Sequence, residues 1–354
     1  MPQNNAYALI IRKMISGEIN TGLSSKLQHF WPRFAYHFTD ITNAVSILTD
    51  GYLLSRNLAK KADKMRNDNA SSEVIGGTNN NIEDLVRLYF RPKTPTQYHN
   101  EGFQIAANRS QLHADCPIPI FFLFDLATLL SSSEALFTAQ SLAIHGEADF
   151  FHAPEQFQQL PFAKIFNNRA LLGTPQENRD IIHHRQAEIV IPNQLDLTDL
   201  KYLVVRTQAE RETLTQLLHD RNVFKFDSLI RVGDETIFFK DRNFIDQVQL
   251  TANEINVDAR TNEAYPRSWG LDTIYALDGA ARENYLNYRM YFTFQDGHTA
   301  MWPGPKQNAL LKNHTTIQLP KNQQSYVVEI QLDDHIAYRG SYQSARQLSD
   351  DLPF

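Results

Sequence analysis

Hydrophobic and polar positions fall into blocks whose spacing separates strands from helices. Phe34 to Phe38 is aromatic and extended in pattern, which predicts a buried strand. Thr39 and Asp40 follow, both good helix caps. Ile41, Ala44, Val45 and Leu48 then recur at helical spacing, and Gly51 stands where a C-terminal cap belongs. This predicts a strand, a cap, a short helix and a further strand at Tyr52-Leu53-Leu54. Leu9, Ile10, Met14 and Ile15 also fit helical spacing and predict a docked helix near the start of the chain. Val86–Phe90, Ile118–Phe124, Ala187–Ile191 and Lys201–Arg206 read as strands. Thr207 with Glu210 three residues on is a capping box, opening a helix that runs to about His219. Strands outnumber helices in a mixed order, so the pattern predicts an α+β fold rather than a doubly wound one.

The texture changes after Val223. Ile230–Lys240, Tyr291–Trp302 and Tyr326–Leu332 look like strands, and Gln295-Asp296-Gly297-His298 holds the Asp-Gly turn of a hairpin. The expected division is therefore a domain over 1–222 and a β-rich accessory module over 223–354. Between the early motifs, Asp68 to Asn81 is rich in Asn, Ser and Gly without a period and reads as a loop.

Composition narrows the function. A chain of 354 residues, 42% hydrophobic and 21% charged, is an ordinary globular one of two domains or one large one. A net charge of −6 excludes a global basic field, so any nucleic-acid site must be local. Arg56 to Lys93 supplies a candidate, with eight basic and five acidic residues. The one cysteine, Cys116, excludes multi-cysteine zinc and iron–sulfur centres and suits a reducing compartment. His183-His184 adjoins Glu188, but neighbouring strand positions face opposite ways, so no metal site is expected. The apolar runs are too short for a membrane span, and the N-terminal segment lacks the pattern of a signal peptide, so a cytoplasmic location is expected. There is neither a phosphate-binding P-loop nor a Rossmann glycine fingerprint.

Three stretches carry the chemistry: Ala35-Tyr36-His37-Phe38-Thr39-Asp40, Arg87 to Pro95, and His184-Arg185-Gln186-Ala187-Glu188-Ile189-Val190. Each sets polar groups on or beside a strand expected to be largely buried, where an unpaired His or Glu costs several kcal/mol. Singly, such a His is more often a satisfied core residue, and such a Glu can point to solvent by alternation. Together and in this order they resemble the DarT family of DNA ADP-ribosyltransferase toxins. The matching features are the YH-x-T-x-x-x-N entry ending in I-L-x-x-G, the YF-x-P-x-x-P stretch, Phe137-Thr138 and the R-Q-A-E strand, over roughly residues 30 to 220.

The resemblance implies an ADP-ribosyltransferase-like mixed β-sheet core with flanking helices. It also implies transfer of ADP-ribose from NAD to a base in single-stranded DNA, with release of nicotinamide. In that reaction positive charge spreads into the ribose, which suits a fixed carboxylate beside it. Glu188 is the candidate, and the resemblance gives it a second role in removing a proton from the acceptor base. The resemblance further implies that His37, Thr39, Asn43 and Tyr89 contact the cofactor, and that an arginine between His37 and Tyr89, nearest by spacing Arg66, assists. A macrodomain-type antitoxin partner and a role in phage defence follow from it as well. Lys93, Thr96 and about Ser141 depart from the family pattern at positions that line the base pocket. That leaves open an ADP-ribosyltransferase acting on RNA, protein or a small molecule, or a non-catalytic nucleotide-binding module.

Overall fold

The computed structural model describes residues 6–64, 80–104, 115–142, 149–261, 286–305, 309–320 and 322–344. Arg66 and most of the Asn-rich loop lie outside the described residues. The chain divides into two compact units. The first takes 1–99, 120–204 and 234–238, and the second takes 100–119, 205–233 and 239–354.

The first unit holds β1 (Phe34–Asp40), β2 (Tyr52–Leu54), β3 (Leu85–Tyr89), β4 (Pro119–Asp125), β5 (Leu136–Phe137), β6 (Glu188–Pro192), β7 (Gln194–Asp196) and β8 (Leu200–Val205). Its main sheet runs in the order β5-β6-β3-β1-β4-β8, and β2 pairs with β7 apart from it. Each predicted strand is present within a residue or two of its expected ends. β4 is central for the reason its composition gives: Ile120 to Phe124 are all at most 1% exposed, and covering such side chains contributes about 1.5–3 kcal/mol each. The core is aromatic, with Phe38 against Phe121, Phe121 against Phe238, and Phe137 and Phe162 against Phe157.

The helix Ile41–Asp50 forms as its signals predict. Asp40 Oδ1 accepts from the Thr42 N–H and hydroxyl at 3.0 and 2.7 Å. Gly51, at φ 88°, closes the other end with its N–H on the Ile47 carbonyl. Ile41, Ala44, Val45 and Leu48 are buried, and so is Asn43. Near the start of the chain, Ala6–Ser16 is the expected docked helix.

The second unit is β-rich, with β9 (Ile230–Val232), β10 (Phe244–Leu250), β11 (Glu254–Arg260), β12 (Asn287–Phe294), β13 (Thr299–Trp302), β14 (Ala309–Leu310), β15 (His314–Gln318), β16 (Ser325–Leu332) and β17 (His335–Gln343). One sheet orders β10-β11-β15 and another β13-β12-β16-β17, with β14 on β12. The Asp-Gly hairpin joins β12 to β13, with the Gly297 N–H on the Phe294 carbonyl. The strand expected over Ile230–Lys240 stops at Val232. Asp234 turns the chain there, accepting from the Thr236 N–H and hydroxyl, and the Ile237 N–H returns to the Asp234 carbonyl. The helix Gln208–His219 starts at Thr207, whose hydroxyl accepts from the Glu210 N–H at 3.1 Å. Among the described residues no helix is long and apolar enough to cross a membrane.

Candidate active site

Strand pairing in the first unit brings the three sequence stretches together. Tyr36 of β1 lies opposite Tyr89 of β3, and Tyr89 lies opposite Glu188 of β6. β3, which carries Arg87 and Tyr89, therefore sits between the strand of His37 and the strand of Glu188.

Glu188 is 0% exposed at the first position of β6. Its backbone is fixed by Thr138, whose hydroxyl accepts from the Glu188 N–H at 3.1 Å and whose N–H donates to the Glu188 carbonyl at 2.9 Å. This is the part played by the Phe137-Thr138 segment. The carboxylate is forked by Arg87: Nε donates to Oε2, and Nη2 donates to Oε1 at 2.6 Å. The Leu142 N–H reaches Oε1 at 3.4 Å. Burial works against the Arg87 charge, but the adjacent carboxylate outweighs it and holds the guanidinium firmly protonated.

Arg87 is the residue that sequence reasoning missed, having counted it only as one basic residue of a local excess. Strand alternation places it on the face of Tyr89, and the β3–β6 register sets that face beside Glu188. The register, a long-range pairing, is the signal that the sequence alone lacks.

On the other side of β3, the His37 Nδ1–H donates to the Arg87 carbonyl at 3.0 Å, and the ring meets Phe122 edge-on. Burial pulls the His37 pKa down, with the carbonyl partly offsetting it. The ring is thus neutral, with the proton on Nδ1 and an acceptor lone pair on Nε2. Asn43 Nδ2 donates to Thr39 Oγ1 at 3.2 Å. His37, Thr39 and Asn43 line one pocket with Asp50, Tyr52 and Lys64. Lys64 donates to Asp50 at 2.7 Å and lies over the Tyr52 ring.

Tyr89 stacks beside Phe38 at 6.5 Å between ring centres. Burial raises its hydroxyl pKa, the nearby Glu188 raises it further, and Arg87 and a hydrogen bond with Thr96 oppose the rise. Of the predicted site residues, His37, Thr39 and Asn43 share a pocket, Tyr89 and Glu188 stand side by side, and Arg66 lies outside the described residues.

Within the basic excess of Arg56–Lys93, several charges are engaged inside the protein. Arg87 is engaged with Glu188, Lys60 with Glu83 and Lys64 with Asp50. Arg91 is 2% exposed, with its guanidinium given to the carbonyls of Pro92, Ile165 and Asn167 and lying over the Trp31 ring. Burial, then the charge of Arg185, lowers its pKa to about 9. It clamps the turn after β3 to the 165–168 segment and is not available to phosphate. Among the described residues no group of three or more His, Cys, Asp or Glu could hold a metal ion.

The family model for DarT, the ssDNA thymidine ADP-ribosyltransferase, matches residues 36–239, more than half of the chain. The protein therefore belongs to the DarT family. As a member it is an enzyme that uses NAD as ADP-ribose donor and ssDNA as acceptor. No curated protein matches the sequence. Among solved structures, the chain is similar to Thermus sp. 2.9 DarT in complex with ADP-ribosylated ssDNA, at 18% identity and TM-score 0.47, over 58% of this chain and 97% of that one. The same Thermus protein in complex with NAD+ gives 18% and 0.43, over 57% and 94%. Thermosipho africanus DarTG in complex with ADP-ribose gives 14% and 0.45, over 60% of this chain and 53% of that one.

Proposed function

We propose that the protein attaches ADP-ribose to thymidine in single-stranded DNA, with Glu188 as the catalytic carboxylate and His37, Thr39 and Asn43 holding NAD. The observation that carries this reading is the family match over residues 36–239, within which a buried carboxylate forked by Arg87 stands on the strand next but one to that of His37 and Thr39. As the bond from ribose to nicotinamide breaks, the nicotinamide leaves neutral and the ribose gains positive charge. A fixed, dehydrated carboxylate stabilises that charge far more than water does. Neutral His37 accepts a ribose hydroxyl on Nε2. Tyr89, a flat ring beside Glu188, offers a stacking surface for nicotinamide or the target base. Thymidine rather than another acceptor is the reading that the family match supports.

The test is label transfer from tagged NAD to ssDNA, dsDNA, RNA and protein offered side by side. Thymidine-containing ssDNA is expected to take up the label, and the same oligonucleotide without thymidine is not. Equal labelling of both oligonucleotides, or labelling of protein alone, would reject the acceptor.

His37→Ala is expected to weaken NAD binding by roughly 3- to 10-fold, the scale of one hydrogen bond. Calorimetric titration with a non-reacting NAD analogue measures it. Unchanged affinity would leave His37 a core residue that serves only the Arg87 carbonyl.

The family further supports a toxin role inside the cell, countered by a macrodomain-type antitoxin that removes the mark. Co-expression with the neighbouring gene product, scored by loss of the DNA label, tests that partnership.

A further inference from the structure

We infer that Arg87 is the positioning residue of the active site: its side chain aims the Glu188 carboxylate while its backbone carbonyl fixes the proton of His37. This rests on the reading of Glu188 as the catalytic carboxylate.

The geometry joins both halves of the site through one residue. The planar guanidinium meets the carboxylate in a two-point fork, which fixes rotation as well as distance. A carboxylate offers about four lone-pair directions. The fork and the Leu142 N–H take two on Oε1 and one on Oε2. What is left is on Oε2, which makes that oxygen the one to meet the ribose. Arg87 is anchored on a strand rather than a loop, between the two strands it serves. Its side chain is 30% exposed while that of Glu188 is fully covered, so the pair sits with the carboxylate inside and the guanidinium towards the solvent side.

The same residue settles the histidine. With the Arg87 carbonyl accepting from Nδ1–H, the acceptor of His37 is Nε2. Rotation of β3 about its axis would disturb both contacts together, so the aim of the carboxylate and the tautomer of the histidine are coupled by a single peptide.

Arg87 and Tyr89 of β3 stand beside Glu188, and the helix Pro175–His184 ends just before it in the chain. His184 Nδ1–H is turned to the Ala139 carbonyl, and Asp180 lies 3.5 Å from its other nitrogen. Arg87 is the cation in contact with the carboxylate.

The experiment uses the full chain carrying Arg87→Met or Arg87→Lys, with single-turnover transfer from saturating NAD to ssDNA and the affinity for a non-reacting NAD analogue measured side by side. Arg87→Met is expected to slow transfer by about 10²-fold. Arg87→Lys keeps the charge but not the fork and should slow transfer by roughly 10-fold, one hydrogen bond to a charged group. Analogue affinity should stay within threefold in both. A merely structural arginine would lower thermal stability without this graded loss of rate at unchanged affinity. A rate for Arg87→Met close to wild type would overturn the inference. Should that variant not fold, a wild-type rate for Arg87→Lys would overturn it equally. The reading of the site fails separately, if Glu188→Gln stays active. An inactive Glu188→Gln beside an unaffected Arg87→Met defeats this inference alone.

Discussion

Glu188→Gln is expected to fold and to transfer ADP-ribose about 10²- to 10³-fold more slowly than wild type, the loss that follows removal of one preorganised electrostatic group. Gln has the shape of Glu and can still accept one Arg87 hydrogen bond. It can also still receive the Leu142 N–H, so the backbone around Thr138 is not asked to move. What disappears is the negative charge where the ribose becomes positive. Arg87 then faces the site uncompensated, which adds repulsion to the lost attraction. Label transfer to ssDNA measures the rate, and circular dichroism checks the fold. A rate within twofold of wild type would remove Glu188 from the chemistry.

The second large effect concerns stability and pH. In the second unit Arg206 is 8% exposed and lies 3.2 Å from Glu101 and 3.9 Å from Glu210, both almost fully buried. One cation thus serves two carboxylates. Glu101 also accepts the Phe239 N–H, and Glu210 accepts the Arg206 N–H at 2.7 Å. Burial raises the pKa of Glu210 from 4.5 to about 7, against the opposing pull of Arg206 and with some help from Glu101.

The sign follows from proton binding. Between pH 4.5 and 7 the folded chain holds a proton on Glu210 that the unfolded chain has lost. Stability is therefore fully present below pH 4.5 and declines as pH rises through 7. At 1.36 kcal/mol per pKa unit the contribution is about 3 kcal/mol. Glu210→Gln keeps an oxygen for the Arg206 N–H and removes the titration. Melting curves from pH 4.5 to 8 should show the second unit losing stability in wild type and a flatter profile in the variant. Parallel profiles would mean that another group carries the dependence.

Local features were legible in the sequence because short-range physics decides them. The Asp40 cap, the buried face of Ile41–Asp50 and its glycine stop all involve residues within a turn of one another. β4 was legible because seven apolar or aromatic positions in a row leave a central strand as the economical solution. His37, Thr39 and Asn43 share a pocket because they lie one strand end and one helical turn apart. The partnership of Arg87 with Glu188 spans 101 positions and exists only through the β3–β6 register. Arg91 shows the opposite error: a charge taken for surface is internal, because four oxygen partners and the Trp31 face replace its water. The strand expected through Lys240 failed at Asp234, whose side chain competes for backbone N–H groups that a ladder would otherwise use.

The interleaving of the two units bears on the order in which the protein is made. The first unit needs residues 234–238: Phe238 packs on Phe121, and the Ile237 carbonyl receives Gln97 at 2.8 Å. Those five residues are synthesised after 205–233, which belong to the other unit. At about 5–20 residues per second, a nascent chain has all of β1, β3 and β6 in hand for seconds before the piece that closes their core arrives. A chain that terminates before Phe238 therefore leaves the core of the first unit without the ring that packs on Phe121.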